Sequence, residues 1–355
     1  MIRVFYDSQI FLAQTTGGIS RYFVEIIKEF QSRPELGIEP VLNLSSSNNE
    51  FAYESLGIPI NKHANSKIFR ASTFYDQSRR DRKFRGYDLR HFTFYSKAYG
   101  VFTGPTVSTL YDMIPETFPK RGRNPHLAKR TFLEKSSGVL SISQTSLSEL
   151  ERIWRFQPSL AEVTYLGVDE SFRPGMQTEL DLPEKFFLLV GQRGGYKRGE
   201  LALEALAHSG LSEHSLVFVG PNPAKRSEKR KIEELGLSGR VKFLNVRTAE
   251  LPGIYGRSAA LIFPSLQEGF GFPPVEAVRS GARVIAVDNE INHEISGDSL
   301  LYFSPDDVAG LTSLMVDVAT VDVEKSMLFE ELDTYTWSMC AEKTADFYRK
   351  VLSSS

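Results

Sequence analysis

Short runs of β-branched, aliphatic and aromatic residues alternate with amphipathic stretches of helical period along almost the whole chain. That alternation is the pattern of βαβ units, which assemble parallel sheets. In the first half it predicts strands at Ile2–Tyr6, Pro40–Leu44, Asp88–Phe94, Thr106–Tyr111, Val139–Ser143 and Val163–Leu166. In the second half it predicts Phe186–Val190, Leu216–Val219, Val241–Leu244, Leu261–Pro264 and Val284–Val287. Helical periods fall at Ile19–Phe30, Thr145–Trp154, Arg198–His208, Lys225–Leu235, Pro274–Ser280 and Trp337–Val351. Leu201, Glu204, Ala205 and His208 follow the helical spacing, and Gly210 stops that helix. The alternation breaks at Ser171–Pro183, where prolines, a glycine and acids make a linker. The prediction is therefore an α/β protein of two doubly wound parallel-sheet domains, residues 1–172 and 173–335, with a ligand crevice between the carboxyl ends of their strands. Residues 336–355 form a closing helix expected to pack back across the hinge.

Composition narrows the class. The chain has 355 residues, 41% hydrophobic and 24% charged, which suits sizeable cores and excludes a disordered chain. A single cysteine, Cys340, excludes a disulfide framework, and no Cys/His spacing suggests zinc. Asp7 interrupts the first apolar run too early for a signal-peptide core, and no apolar run reaches the ~18 residues of a spanning helix. A cytoplasmic location is expected. The net charge of −2 divides unevenly, with residues 1–174 carrying 23 Lys and Arg against 18 Asp and Glu. The excess lies in RRDRKFR at Arg79–Arg85 and KRGRNPHLAKR at Lys120–Arg130. No nucleic-acid motif accompanies these tracts. They read either as a solvated face or as a surface for anionic lipid headgroups or an acceptor diphosphate.

Chemistry concentrates in three segments. In Leu261–Gly281 an apolar strand ends at Pro264, the loop Gly269-Phe270-Gly271 follows, and prolines at 273 and 274 open a helix. Such a helix start attracts anions. Glu268 on the loop and Glu276, expected in the first helical turn, frame it. In Leu188–Glu200 a strand runs into a glycine turn that presents Arg193 and Lys197. Two fixed cations there can stabilise negative charge. In Gln14–Tyr22 the pair Gly17-Gly18 lies between the first strand and first helix, and allows close backbone approach. The spacing of a dinucleotide fingerprint is missing, which counts against a nicotinamide dehydrogenase.

Glu268-Gly-Phe-Gly-Phe-Pro-Pro-Val-Glu276 resembles the Glu-x7-Glu motif of retaining nucleotide-sugar glycosyltransferases of family 4, whose fold is GT-B, two Rossmann-like domains facing a cleft. The resemblance runs nearly the full chain, through the glycine loop, linker, Arg/Lys turn, Glu motif and closing helix. It implies that the second domain holds the donor and the first the acceptor. It implies that Glu276 binds the ribose and that Glu268 faces the donor sugar or reacting centre. Amides at Gly269, Phe270, Gly271 and Phe272 would hold the donor, Arg193 and Lys197 its phosphates, and the loop at Gly17 and Gly18 its diphosphate or the acceptor. Asp88-Leu-Arg-His91 resembles a family strand ending in His, and Leu110-Tyr-Asp112-Met-Ile-Pro resembles a segment where His commonly stands at the position of Tyr111. Asp112 is thereby a catalytic or acceptor contact; His91, Tyr111 and Ser143 are acceptor or sugar contacts. Arg21 and the segment Gly167–Asp169 are weaker candidates for the cleft.

The implied activity is retaining transfer of a hexose, mannose or glucose type, from a GDP- or UDP-linked donor to a glycan or polyprenyl-diphosphate-linked acceptor. It needs neither cofactor nor metal. Peripheral contact with the membrane through the basic tracts goes with it. Other readings stay open. A sugar-nucleotide epimerase or phosphorylase shares the architecture, and a non-catalytic subunit would bind donor without turnover. A metal-dependent single-domain transferase would need an Asp-x-Asp, which Asp288-Asn-Glu290 only imitates. The base is expected to be read by backbone near Arg247, so the sequence leaves uracil and guanine unseparated.

Overall fold

The computed structural model describes residues 1–60, 67–119, 126–320 and 332–354. Part of the second basic tract, residues 120–125, lies outside them. The chain divides into two compact units, unit 1 being Met1–Gly167 with Tyr335–Ser355, and unit 2 Val168–Thr334.

Unit 1 is built on a parallel sheet of β1 (Ile2–Tyr6), β2 (Ile38–Leu42), β3 (Leu89–Phe92), β4 (Thr106–Leu110), β5 (Gly138–Ser141) and β6 (Ala161–Val163), in the order β2-β1-β3-β4-β5-β6. The helices between are α1 (Gln9–Ala13), α2 (Gly18–Ser32), α3 (Glu50–Leu56), α4 (Lys67–Lys83), α5 (Ile114–Thr117), α6 (His126–Lys135) and α7 (Gln144–Trp154). On α2, Tyr22, Phe23, Ile26, Ile27 and Phe30 recur at helical spacing and are buried. β6 ends at Val163 rather than running to Leu166, which is buried without ladder pairing.

Unit 2 repeats the plan with β7 (Phe186–Val190), β8 (Ser215–Val219), β9 (Val241–Leu244), β10 (Ala260–Phe263), β11 (Arg283–Val287) and β12 (Leu301–Phe303), in the order β12-β11-β10-β7-β8-β9. Its helices are α8 (Glu200–His208), α9 (Arg226–Glu234), α10 (Leu251–Arg257), α11 (Phe272–Arg279), α12 (Glu290–Ser296) and α13 (Val308–Thr320). Leu201, Ala205 and Leu206 of α8 meet Leu311 and Met315 of α13 in one buried cluster over the sheet. Of the predicted spacing, Leu201 and Ala205 are buried, while Glu204 is half-buried and His208 is exposed. β12 is only three residues long, too short for periodicity to register, and α13 was missed with it.

The last helix, α14 (Trp337–Ser353), belongs to unit 1. Its buried residues Trp337, Cys340, Ala341, Thr344, Tyr348 and Val351 form one stripe. A side chain at Gly138 of β5 would strike Phe347 and Val351, at 2.7 Å each, so the missing Cβ lets α14 press onto the strand. Arg33 bonds Ser338 and pairs with Glu342 at 2.7 Å. Burial pushes the Cys340 thiol far up, which leaves it a packing residue.

Candidate functional site

In unit 2 the strand order reverses between β7 and β10, and open parallel sheets receive ligands outside the carboxyl ends of the strands at such a point. The loop after β7 carries Lys197 and the loop after β10 carries Glu268. Though 71 residues apart in sequence, their side chains meet, with Lys197 Nζ 2.5 Å from Glu268 Oε1. The two loops are also joined by backbone, Leu266 N donating to Tyr196 O at 2.9 Å. Asn289, which caps α12 through its oxygen, donates its amide to Ser265 O and Leu266 O and so braces the Glu268 loop. Sequence reasoning missed that brace, although an Asn directly before a helical run is an N-cap signal.

Gly271 stands at the N-cap of α11 with φ 88°, a left-handed conformation that glycine adopts without strain. Phe270 and Phe272 pack edge to face on either side of it, with ring centroids 5.5 Å apart. Glu276 lies in the second turn of α11, not the first as expected, so complementing the helix dipole does not explain it. It is 4% exposed and accepts a bond from the Tyr255 hydroxyl at 3.1 Å. A buried carboxylate on the helix that follows the Glu268 loop is an acceptor held ready for hydroxyl donors. Tyr255 carried no sequence signal.

Arg193 is a correction. It is 8% exposed and turns away from the Lys197–Glu268 pair toward α9. Its Nε donates to Glu228 Oε1 at 2.9 Å, and its Nη2 bonds Glu228 Oε2, Asn222 O and Pro223 O. The guanidinium also lies 4.9 Å from the Phe243 ring centroid. Burial would raise the Glu228 carboxyl, but its bonds to Arg193 and to the Lys225 amide outweigh that and hold it below its ordinary value. Arg198, the next arginine along, has φ 49° and pairs with Asp306, itself at φ 62°. Lys197 is thus the cation of this turn that faces Glu268, and the two arginines anchor the turn on either flank. A cavity of about 230 Å³ opens beside Arg193, lined among others by Lys225, Ser227, Glu228 and Phe218. Arg247 is exposed at the start of a short turn that Glu250 caps. The imitation metal motif is a helix start: Asp288 bonds His293 at 2.8 Å, and Asn289 is the cap.

In unit 1 the predicted residues scatter. Gly17 is extended at φ 167°, and a Cβ there would lie 2.5 Å from the oxygen of the Gln14 carboxamide, which accepts from Ser20 N at 3.2 Å. Gly18 opens α2 as expected of a helix start, and Arg21 is buried. His91 is fully buried, so its reading as an acceptor contact fails. Its Nδ1 and Nε2 are each 2.7 Å from a hydroxyl, those of Tyr348 and Thr109, and burial lowers its pKa to about 3. The Tyr111 hydroxyl donates to Thr93 O at 2.9 Å, and its ring is 5% exposed. Ser143 is the buried N-cap of α7, bonded to Ser146 N. Both therefore serve the fold. Asp112 stays half-buried at the carboxyl end of β4, where its Oδ1 accepts from Ile114 N at 3.0 Å. Gly167 lies against the Trp337 backbone, and Asp169 turns the chain by accepting from Ser171 N. The basic tract on α4 is an outer face: Gln77, Ser78 and Asp81 are buried beneath it, and Asp81 bonds Ser8. Among the described residues no helix is long and apolar enough to cross a membrane.

Residues 176–312 match the family model described as "Glycosyl transferases group 1". The O-antigen chain mannosyltransferase RfbU of Salmonella typhimurium is 27% identical over 194 residues, 54% of this chain and 54% of that protein. The chain thus spans about half the length of that relative. The O-antigen chain mannosyltransferase B of Escherichia coli is 24% identical over 265 residues, 68% of this chain and 70% of that protein. Among solved structures, Anabaena HepE in complex with UDP and glucose superposes with a TM-score of 0.69 at 20% identity, covering 100% of this chain and 99% of that one. The fold is GT-B.

Proposed function

We propose that this chain, whose second unit is a group 1 glycosyltransferase domain, transfers a mannose-type hexose from a nucleoside diphosphate donor to a growing glycan. The observation that carries the reading is the Lys197–Glu268 pair at the switch point of the second sheet, with buried Glu276 on the helix that follows. The two O-antigen mannosyltransferases among its relatives support the donor sugar and a polysaccharide acceptor. HepE, solved with UDP and glucose, supports a nucleotide-sugar site on this fold.

In this mechanism the bond from the anomeric carbon to the donor phosphate breaks, and the nucleoside diphosphate leaves with the electron pair. Lys197 and the amides around Phe270–Phe272 stabilise the charge that develops on it. The acceptor oxygen bonds the anomeric carbon on the same face, and its proton passes to the leaving phosphate oxygen. Configuration is retained without a protein nucleophile, so the two-carboxylate logic of glycoside hydrolysis does not apply to Glu268 and Glu276. Glu276 accepts from the ribose hydroxyls, Glu268 orients the sugar, and no metal takes part. Unit 1 receives a glycan or polyprenyl-diphosphate-linked acceptor, and the basic outer face of α4 rests on anionic lipid.

The first test is thermal stabilisation by UDP, GDP and ADP, since a ligand of the native state raises its stability by mass action. The second is the anomeric configuration of the product by NMR. Glu276→Gln preserves size and a bonding partner for Tyr255, and should lower transfer at least tenfold with the melting temperature unchanged. Nucleotide binding without turnover would make the chain a binding subunit, and an inverted product would overturn retention.

A further inference from the structure

We propose that Phe94 is a stacking platform for a sugar ring, the acceptor hexose, at the carboxyl end of the first sheet. The inference rests on the transferase reading above and carries it from donor to acceptor.

The strand order of unit 1 reverses between β1 and β3, which makes that point its ligand crevice. The chain leaving β3 there is pinned on both sides. Thr93 donates to Asp7 Oδ1 through its amide and hydroxyl, at 3.2 and 2.7 Å, and Ser96 N donates to Gln9 Oε1 at 2.7 Å. Phe94 and Tyr95 are the two residues raised between these pins. The Tyr95 hydroxyl donates to Thr109 O and the Tyr111 hydroxyl to Thr93 O. Both phenols are therefore engaged by backbone, and the cluster offers a ring face rather than hydroxyls. Phe94 packs 5.2 Å from Tyr95 and 6.5 Å from Tyr111, the latter at only 24° between planes. Yet 36% of Phe94 stays exposed, against 5% of Tyr111. The ring is thus held toward solvent by a rigid base.

Asp112 supplies the polar half of the site. It follows Tyr111 directly, and with Glu116 it lies near enough to the Tyr95 phenol to add to the effect of burial in opposing its ionisation. A pyranose has one face of C–H groups and a rim of hydroxyls. The C–H face suits an aromatic ring, and a hydroxyl on the rim suits an adjoining carboxylate.

Phe94→Trp places a fluorophore on the platform, and its emission is titrated with α-mannotetraose, maltotetraose and UDP. A saturable change with a tetrasaccharide, absent from the unmodified protein, is expected. Phe94→Leu keeps apolar bulk without the ring face. It should raise the acceptor KM about fivefold, with donor KM and donor hydrolysis in the absence of acceptor unchanged. A wild-type acceptor KM in Phe94→Leu, or no response to either tetrasaccharide, overturns the platform. A response to UDP alone overturns it too, because the ring then takes a base. Failure of every form to turn over a nucleotide sugar defeats the transferase reading instead, while the titration still decides the platform.

Discussion

Replacing Arg193 by methionine separates two roles that the sequence assigns to one turn. The guanidinium is paired with Glu228, with side-chain exposures of 6% and 22%, and also bonds two backbone carbonyls. Removing one member of a largely buried pair leaves the other charge uncompensated and typically costs 3–5 kcal/mol. Glu228 keeps some solvent and the Lys225 amide, so about 3 kcal/mol is expected. For a unit the size of Val168–Thr334 that corresponds to a fall in melting temperature of about 6–12 °C. The double variant Arg193→Met/Glu228→Met removes both charges and should recover most of the loss, because an apolar replacement of the whole pair is often near neutral. Differential scanning calorimetry with donor turnover on the same samples is the assay. If Arg193→Met melts like the unmodified protein while kcat falls a hundredfold, Arg193 serves the donor phosphate and the structural role is refuted.

Lys197→Ala should behave in the opposite way, losing about a hundredfold in kcat at little change in melting temperature; retained kcat would remove Lys197 from the chemistry. Asp306→Ala frees Arg198 from a half-exposed pair, worth at most about 1 kcal/mol, and should raise the donor KM no more than about fivefold, with a larger rise showing that the turn depends on this anchor more than the pair's exposure suggests. His91 has a folded pKa of about 3 against about 6.5 unfolded, so its contribution to stability is complete above pH 6.5 and is lost as the pH falls toward 3. Between pH 6.5 and 4.5 the loss is about 2 kcal/mol, and urea denaturation of His91→Gln should lack that part of the slope; parallel curves for the two proteins would refute it. Charge reversal at Arg79, Arg80 and Arg82 should abolish binding to anionic vesicles, and unchanged binding would leave the α4 face merely solvated.

The parallel sheets were legible because strands buried on both faces read as continuous apolar runs, as in Phe186–Val190 and Ala260–Phe263. The loop ending at Gly271 was legible because a left-handed N-cap and paired prolines have few alternatives. Partner choice was not legible, since Arg193 and Lys197 stand four residues apart in one turn with the same charge. What divides them is Glu228 on α9 and Glu268 beyond β10, contacts that no local pattern encodes. His91 failed for the same reason. A histidine at a strand end looks like a ligand until Tyr348, 257 residues later, closes over it and fixes the ring beside Thr109. Asp81 shows the effect within a charge run: Arg79, Arg80, Arg82 and Lys83 around it suggest one solvated surface, while Asp81 itself turns inward to Ser8 and Gln77. Charge identity marks where chemistry can happen, but the partner across the fold decides whether a charge is left for a ligand. In the turn after β7 Arg193 is held by Glu228 on α9, whereas the partner of Lys197, Glu268, is itself a loop residue at the carboxyl end of β10.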